Sequence, residues 1–183
     1  MVALPIGDVE QLAARAARGD RDALGELVRQ LQAPVWRFAY HLTRDRDLAD
    51  EAAQETWVRA VRSLPRFRGD SSVLTWLLAI ARHVVAGLIR ERCRKPPETP
   101  PPPAWTSTGL VEVETELDRL PPQLAEALVL TQVVGLSYEE AAEVMGVPIG
   151  TIRSRVFRAR AALMESLSDG PPPRVVALPG GVL

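Results

Sequence analysis

A run of prolines near the middle of the chain limits what this sequence can fold into. Six of the eight residues from Pro96 to Pro103 are proline. Because proline fixes its own φ and disfavours helix at the residue before it, this run must be extended and stiff. Small and polar residues follow it, so we predict an interdomain linker over residues 92–111. The linker divides the 183 residues into two small domains, 1–91 and 112–168.

The end of the chain has a similar composition. The last fifteen residues are "DGPPPRVVALPGGVL", a stretch rich in proline and glycine. Such a composition disfavours a packed structure. We therefore expect a disordered tail over residues 169–183.

Apolar residues recur at helical spacing in both domains. Leu24, Leu27, Val28 and Leu31 occupy positions i, i+3, i+4 and i+7 of one helical face. In the second domain a helix is predicted after "LPPQ", where Pro122 suits the first turn. No segment alternates apolar and polar residues as a half-buried strand would. The sequence predicts an all-α fold of two small helical domains joined by the Pro-rich linker.

The composition excludes several classes of protein. The single cysteine, Cys93, cannot form an internal disulfide, and with only two histidines it gives a poor zinc-binding set. Charge-free stretches are shorter than the roughly 20 residues that span a bilayer. The start, "MVALPIGDVEQ", lacks the basic and apolar regions of a signal peptide. We expect a cytoplasmic protein with no cofactor, no metal and no membrane insertion.

The stretch "LSYEEAAEVMGVPIGT" has the signals of two helices and a tight turn. Ser137 and Glu140 form a capping-box pattern, which satisfies free N–H groups at a helix start. Gly146 is expected to end this first helix. Pro148 then begins a second helix that runs to about Leu167. The pattern predicts a helix-turn-helix.

The second helix of this motif is strongly basic, although the net charge of the chain is only −1. Four arginines lie within eight residues, and no acidic residue follows Pro148 until Glu165. An ordinary helical hairpin has the same spacing, but its solvated face would normally mix charges of both signs. Arginine binds guanine edges and phosphates, and serine binds bases or phosphates. The candidate DNA contacts are Thr151, Arg153, Ser154, Arg155, Phe157 and Arg158.

Three segments together resemble the extracytoplasmic-function (ECF) class of bacterial RNA polymerase sigma factors. They are "DRDLADEAAQETWVRAVRSLPRF", "GDSSVLTWLLAIARHVVAGLIRERCRK" and "GLSYEEAAEVMGVPIGTIRSRVFRARAAL", in the family's order and at its spacing. The resemblance implies a region 2-like first domain and a region 4-like second domain that recognises the minus-thirty-five element. It also implies binding to core RNA polymerase, through its β′ clamp coiled coil and β flap, and to promoter DNA. An anti-sigma factor is expected to hold such a protein inactive.

The resemblance assigns core-polymerase binding to the segment "DEAAQET". Helical geometry places Glu51 and Glu55 opposite Trp57, so an acidic stripe is available to a basic partner. A solvated helix face has the same pattern, and the family match favours the interface. The implied contacts are Asp50, Glu51, Gln54 and Glu55.

Minus-ten recognition and melting are assigned to the loop "RFRGD" and the helix after it, which begins near Ser71 or Ser72. Trp76 is a candidate for stacking on an unpaired base, although such spacing is also typical of a core residue. His83 and Gly87 stand where relatives commonly carry Asn and Asp, so the promoter preference stays open. The implied contacts are Gly69, Asp70, Ser71, Ser72, Trp76, Arg82, His83 and Arg90.

Two other classes of function are possible. A helix-turn-helix repressor or activator acting without polymerase would need a ligand pocket or dimer face in residues 1–91. The acidic stripe and the basic end "IRERCRK" argue against it. An enzyme could use Asp50, Glu51 and Glu55 as acid and base, but His41 and His83 lie in other segments and no nucleophile accompanies them. We expect no catalytic residues.

Overall fold

The structure, a computed structural model, describes residues 6–94, 117 and 119–169. The whole proline run lies outside these ranges, and so do residues 170–183 of the expected tail. Every regular element within it is helical, which confirms the all-α prediction. The elements are α1 (Ile6–Ala17), α2 (Arg21–Thr43), α3 (Arg46–Ser63), a 3-10 turn (Leu64–Arg66), α4 (Val73–Arg94), α5 (Pro122–Leu128), a π-helical segment (Val129–Val134), α6 (Tyr138–Met145) and α7 (Ile149–Asp169).

Short polar side chains begin helices α2, α3 and α4. Asp20 caps α2 by accepting a hydrogen bond from the Ala23 N–H at 3.0 Å, and Asp45 caps α3 in the same way. At α4, Ser72 Oγ accepts from the Thr75 N–H at 3.1 Å. Ser72, not Ser71, is therefore the N-cap. Such caps satisfy N–H groups that have no partner inside the helix.

Helix α4 forms the centre of the first half. Its buried residues include Leu77, Leu78 and Ala81, all fully buried, and it contacts both α2 and α3. Length and composition alone would allow α4 to cross a membrane. Here its apolar face instead packs against neighbouring helices, as the core helix of a small bundle does. The described part of the helix runs to Arg94, into the stretch that is expected to form the linker.

Helix α5 begins with Pro122 in its first turn, as the sequence predicts. The chain then continues as the π-helical segment, which the apolar periodicity did not predict. Gly135 closes this segment with a φ of 87°, and the Leu136 N–H donates to the Leu130 carbonyl at 3.0 Å. Short π-helical segments are rare and often mark functional positions.

The two halves of the chain pack directly against each other. Helix α4 contacts α6, while α2 contacts α5 and the π-helical segment. One continuous cluster of buried apolar side chains contains Leu77 and Leu78 from the first half and Ala141 and Met145 from the second. The Pro-rich segment therefore connects two halves that share one core.

Candidate functional site

Helices α6 and α7 form the predicted helix-turn-helix. The capping box is complete, because the Glu140 N–H donates to Ser137 Oγ at 3.1 Å and the Ser137 N–H donates to Glu140 Oε2 at 2.9 Å. Gly146 ends α6 with a φ of 64°, the left-handed conformation that favours glycine. The carbonyl of Pro148 then accepts from the Thr151 N–H at 2.8 Å. These local bonds define the start and end of α6 and the start of α7.

Helix α7 separates its apolar and polar residues onto different faces. Ile152, Val156 and Ala159 are fully buried against the rest of the second half. Phe157 is 74% exposed, and Arg158 lies beside it, with its Nε donating to a carbonyl of its own helix at 3.3 Å. The exposed face is thus basic, with one aromatic residue at its centre.

The remaining predicted contacts on α7 divide into two groups. Arg153 and Ser154 are exposed and Thr151 is half-buried. Arg155 instead lies across the motif, with one Nη 3.2 Å from Gln123 Oε1 and the other 4.0 Å from Met145 Sδ. Its guanidinium therefore links α5, α6 and α7, and it is a positioning residue in this structure.

The acidic stripe lies on the outer face of α3. Glu51 and Gln54 are exposed, and Glu55 pairs with Arg59 within the helix at 2.7 Å. Asp50 is also exposed, and its Oδ1 accepts from Trp36 Nε1 at 2.6 Å. The sequence did not predict this bond, because Trp36 and Asp50 lie on different helices.

Two grooves flank the stripe, one on each side of Gln54. The first, of about 760 Å³, lies between α2 and α3 and is lined mainly by apolar and aromatic surface, including Trp36 and Trp57. The second, of about 470 Å³, lies between α3 and α4. It has Val58 on its wall and Glu51 among its acidic residues. The stripe thus offers both carboxylates and apolar surface to a partner.

The predicted minus-ten loop is exposed at its tip. Gly69 has a φ of 75°, and Asp70 accepts from Arg68 Nε at 3.2 Å across the loop. Trp76 lies below the loop, half-buried against the core, with its ring centroid 4.8 Å from that of Phe67. In this position Trp76 supports the loop and shows only part of its ring to solvent.

The start and middle of α4 face the second half of the chain. Arg82 Nε donates to Glu126 Oε1 at 2.5 Å. Ser72 Oγ and Thr75 Oγ1 lie 3.2 and 3.3 Å from Glu140 Oε1. Burial opposes ionisation of Glu140, but the hydrogen bonds from Ser137, Ser72 and Thr75 outweigh it and lower its pKa. Two predicted minus-ten contacts, Ser72 and Arg82, are therefore engaged within the chain.

The far end of α4 keeps some of its basic surface. His83 is exposed, with Nδ1 2.7 Å from the Ala79 carbonyl, and Arg90 is exposed. Arg92 instead donates to Asp45 at 2.6 Å. Burial opposes the charge of Asp45, but hydrogen bonds from the Leu48 N–H and Arg92 outweigh it, so the pKa of Asp45 is lowered. At this end of α4, Arg92 is thus neutralised inside the protein, whereas Arg90 stays exposed.

Glu126 is a site residue that the sequence analysis missed. It is the single acidic residue in the apolar stretch "LAEALVLTQVV" and is only 7% exposed. A buried carboxylate needs a charged partner, so this lone acid was the available signal. Within the described ranges, no group of three or more His, Cys, Asp and Glu residues has the arrangement of a metal site.

Comparisons with known proteins match the two halves of the chain to two separate family models. The family model for Sigma-70 region 2 matches residues 27–95, and the model for Sigma-70, region 4 matches residues 110–163. The ECF RNA polymerase sigma factor SigC of Mycobacterium tuberculosis is 47% identical over 166 residues, which cover 85% of this chain and 89% of SigC. The RNA polymerase sigma-H factor of Pseudomonas aeruginosa is 34% identical, with 86% and 93% covered.

Two solved structures are similar to this chain over most of its length. CnrH in complex with the cytosolic domain of CnrY is similar with a TM-score of 0.72 and 29% identity, covering 89% of this chain and 99% of that one. The sigma factor RpoE in complex with the anti-sigma factor NepR from Bartonella quintana has a TM-score of 0.68 and 29% identity, covering 80% and 98%.

Proposed function

This chain belongs to the ECF class of RNA polymerase sigma factors, and we propose that it binds core RNA polymerase and directs initiation at a specific set of promoters. The observation that carries the proposal is the pairing of two surfaces on one chain. An exposed acidic stripe lies on α3 and an exposed basic helix face lies on α7. The first suits a basic partner protein and the second suits DNA.

The basic face of α7 is proposed to recognise the minus-thirty-five element in the major groove. Helix α7 is the second helix of the motif, the position that enters the groove in helix-turn-helix proteins. Arg153, Ser154 and Arg158 are exposed and free to contact base edges or phosphates. Phe157 at 74% exposure suits an apolar contact with a thymine methyl group. Arg155 acts by positioning the helix.

The acidic stripe is proposed to bind the β′ clamp coiled coil. Glu51 and Gln54 are exposed, and the adjoining grooves offer apolar surface to a helix of the partner. Charge complementarity of this kind speeds and orients association. Once polymerase holds both halves, two weak DNA contacts act together at high effective concentration.

The loop at Gly69 and Asp70 is proposed to capture the melted minus-ten strand. The other proposed contacts lie behind this loop: Ser71, Ser72, Trp76, Arg82, His83 and Arg90. The exposed loop tip supports this role for Gly69 and Asp70. Ser72 and Arg82 become available only when the two halves separate, because both bind carboxylates of the second half. Opening of the chain is thus part of the proposed mechanism.

We further propose that the chain works in the cytoplasm, catalyses no reaction, needs no cofactor or metal, and is held inactive by an anti-sigma factor. The similar RpoE structure contains such a factor, which supports this regulation. The proposed domain limits are 1–91, 112–168 and a linker at 92–111. The family matches at 27–95 and 110–163 support a division of the chain near this linker.

The test is equilibrium binding of the purified protein to bacterial core polymerase. We expect the double variant Glu51→Lys/Glu55→Lys to bind at least tenfold more weakly. The control Glu143→Lys/Glu165→Lys makes the same change in net charge on exposed residues of the second half, and should bind core like the wild type. Equal binding by both double variants would contradict the role of the stripe. No binding by the wild type would contradict the sigma function.

A further inference from the structure

We propose that helix α1 braces the loop that is assigned to capture of the melted minus-ten strand, and that Glu10 is the positioning residue of this brace. The loop, residues 67–72, lies between the 3-10 turn and α4, and α1 contacts both of these elements. The inference rests on the proposed function for what the loop binds. The brace itself consists of contacts within the first half of the chain.

At the end of the loop, Glu10 accepts a hydrogen bond from the first N–H of α4. Its Oε1 lies 3.2 Å from the backbone nitrogen of Val73, the first residue of that helix. An N–H at this position has no carbonyl partner inside its own helix. Val73 is fully buried, so water cannot take the place of the carboxylate. The loop therefore ends at a point that is fixed by a side chain of α1.

At its start, the loop is held by apolar packing on the same helix. Val9 and Ala13 of α1 are buried in one cluster with Leu64, the first residue of the 3-10 turn. The Phe67 N–H then donates to the Leu64 carbonyl at 3.0 Å, which ties the first residue of the loop to the turn. Both ends of the loop are thus attached to α1, one by packing and the other by a hydrogen bond.

Between these two anchors the tip of the loop is exposed. Arg68, Gly69 and Asp70 are all exposed, and Arg68 pairs with Asp70 inside the loop itself. Such an exposed ion pair contributes little to stability, so the shape of the loop is set largely by the positions of its two ends. A loop that is already held in its binding shape loses less conformational entropy on binding. The contact between Glu10 and Val73 should therefore affect how well the loop holds a base.

Substitutions at Glu10 separate the hydrogen bond from the charge. Glu10→Ala removes both. Glu10→Asp keeps the charge on a side chain that is one methylene shorter, which draws its oxygens away from the Val73 nitrogen. Glu10→Gln removes the charge but keeps an Oε1 acceptor at the same distance, so it should restore the brace. The apolar packing of Val9 and Ala13 is left in place in all three variants.

Two control variants leave this contact untouched. Gln11→Ala shortens an exposed side chain next to Glu10 on α1. Asp22→Ala removes one negative charge from an exposed residue in the first turn of α2, and so matches the change in net charge of Glu10→Ala. Both controls should behave like the wild type in the two assays that follow.

Amide hydrogen exchange in the full-length protein, without polymerase, tests the brace. Exchange measures local opening, and a peptide over residues 67–76 reports on the loop and on the Val73 N–H. This peptide should exchange about tenfold faster or more in Glu10→Ala and Glu10→Asp, because a hydrogen bond to a charged group is lost. In Glu10→Gln the rate should lie closer to the wild type than to Glu10→Ala. Unchanged exchange of this peptide in Glu10→Ala and Glu10→Asp would overturn the brace.

Transcription from a randomised promoter library, with core polymerase and each variant, tests the effect on base capture. Glu10→Ala and Glu10→Asp should lose base preference in the minus-ten element and keep it in the minus-thirty-five element, and Glu10→Gln should restore it. A general loss of stability would lower the yield of transcripts without changing one preference relative to the other.

The outcomes distinguish the brace from the sigma function itself. An unchanged minus-ten preference in a variant whose loop exchanges faster would overturn the positioning role of Glu10. If Glu10→Ala does not fold by circular dichroism, the same result in Glu10→Asp overturns it instead. A wild-type protein that yields no transcripts would contradict the proposed function, whereas the exchange experiment contains no polymerase and would still decide whether α1 braces the loop.

Discussion

Arg155 and Arg158 lie three residues apart on α7, but the structure gives them different roles. Arg158 is exposed, and its Nε donates to the Ser154 carbonyl of its own helix. Arg155 is tied to Gln123 and lies against Met145. We therefore predict that Arg155→Ala destabilises the second half, whereas Arg158→Ala leaves stability unchanged and weakens DNA recognition.

The magnitudes follow from the contacts that each substitution removes. Arg155→Ala loses a hydrogen bond to a neutral side chain at 3.2 Å, which is worth about 0.5–1.5 kcal/mol. For a protein of this size the loss lowers Tm by about 1–6 °C. Arg158→Ala should leave Tm within about 2 °C of the wild type, since exposed substitutions rarely exceed about 0.5 kcal/mol. It should weaken promoter binding by the holoenzyme by about 1–3 kcal/mol.

Two assays measure the two effects separately. Circular dichroism follows thermal unfolding, and a gel shift with holoenzyme measures promoter binding. The prediction requires a lower Tm for Arg155→Ala alone and a loss of base discrimination for Arg158→Ala alone. The reasoning is refuted if Arg155→Ala unfolds like the wild type and loses promoter binding as severely as Arg158→Ala. In that case Arg155 would leave Gln123 and contact DNA directly.

Three further predictions concern the folded chain. Asp45→Ala should cost about 1–2 kcal/mol in denaturant unfolding, because it removes both the α3 cap and the pair with Arg92; Asp45→Asn keeps a cap and should cost less than half as much, and equal losses would contradict the separate roles. Gly87→Ala should raise stability by about 0.4–1 kcal/mol, since a Cβ there meets no atom within 4 Å and the position is helical; a lower Tm would show that the site is more crowded than the structure indicates. The folded-state pKa of Glu140 is lowered, so the ionised side chain stabilises the fold above the ordinary glutamate pKa, and this stabilisation is lost as pH falls. The difference in unfolding free energy between the wild type and Glu140→Gln should therefore shrink between about pH 5 and pH 3. A difference independent of pH would contradict the assigned hydrogen bonds.

Local signals in the sequence predicted much of the fold and of the DNA-binding helix. The capping box at Ser137, the helix end at Gly146 and the helix start at Pro122 depend on neighbouring residues, so spacing alone was enough. These features need no knowledge of the rest of the chain.

The features that the sequence did not predict depend on contacts between distant residues. The pair between Arg82 and Glu126 joins residues 44 positions apart, and the bond between Ser72 and Glu140 joins residues 68 positions apart. A basic residue on α4 has the same local pattern whether it binds phosphate or a buried carboxylate. The π-helical segment was missed because an apolar run has no feature that distinguishes the α from the π hydrogen-bond pattern. The packing of the two halves decides which group the basic residue binds and which hydrogen-bond pattern the apolar run adopts.

Transcription in vitro from a randomised promoter library tests the central claim most directly. Purified core polymerase would be supplied with the wild-type protein or Arg158→Ala, and the transcripts sequenced. The account predicts transcripts only when core and protein are both present, from promoters that share a minus-thirty-five and a minus-ten element, with the minus-thirty-five preference weakened by Arg158→Ala. The absence of selected transcripts, together with tight binding of the protein alone to a palindromic site, would contradict it.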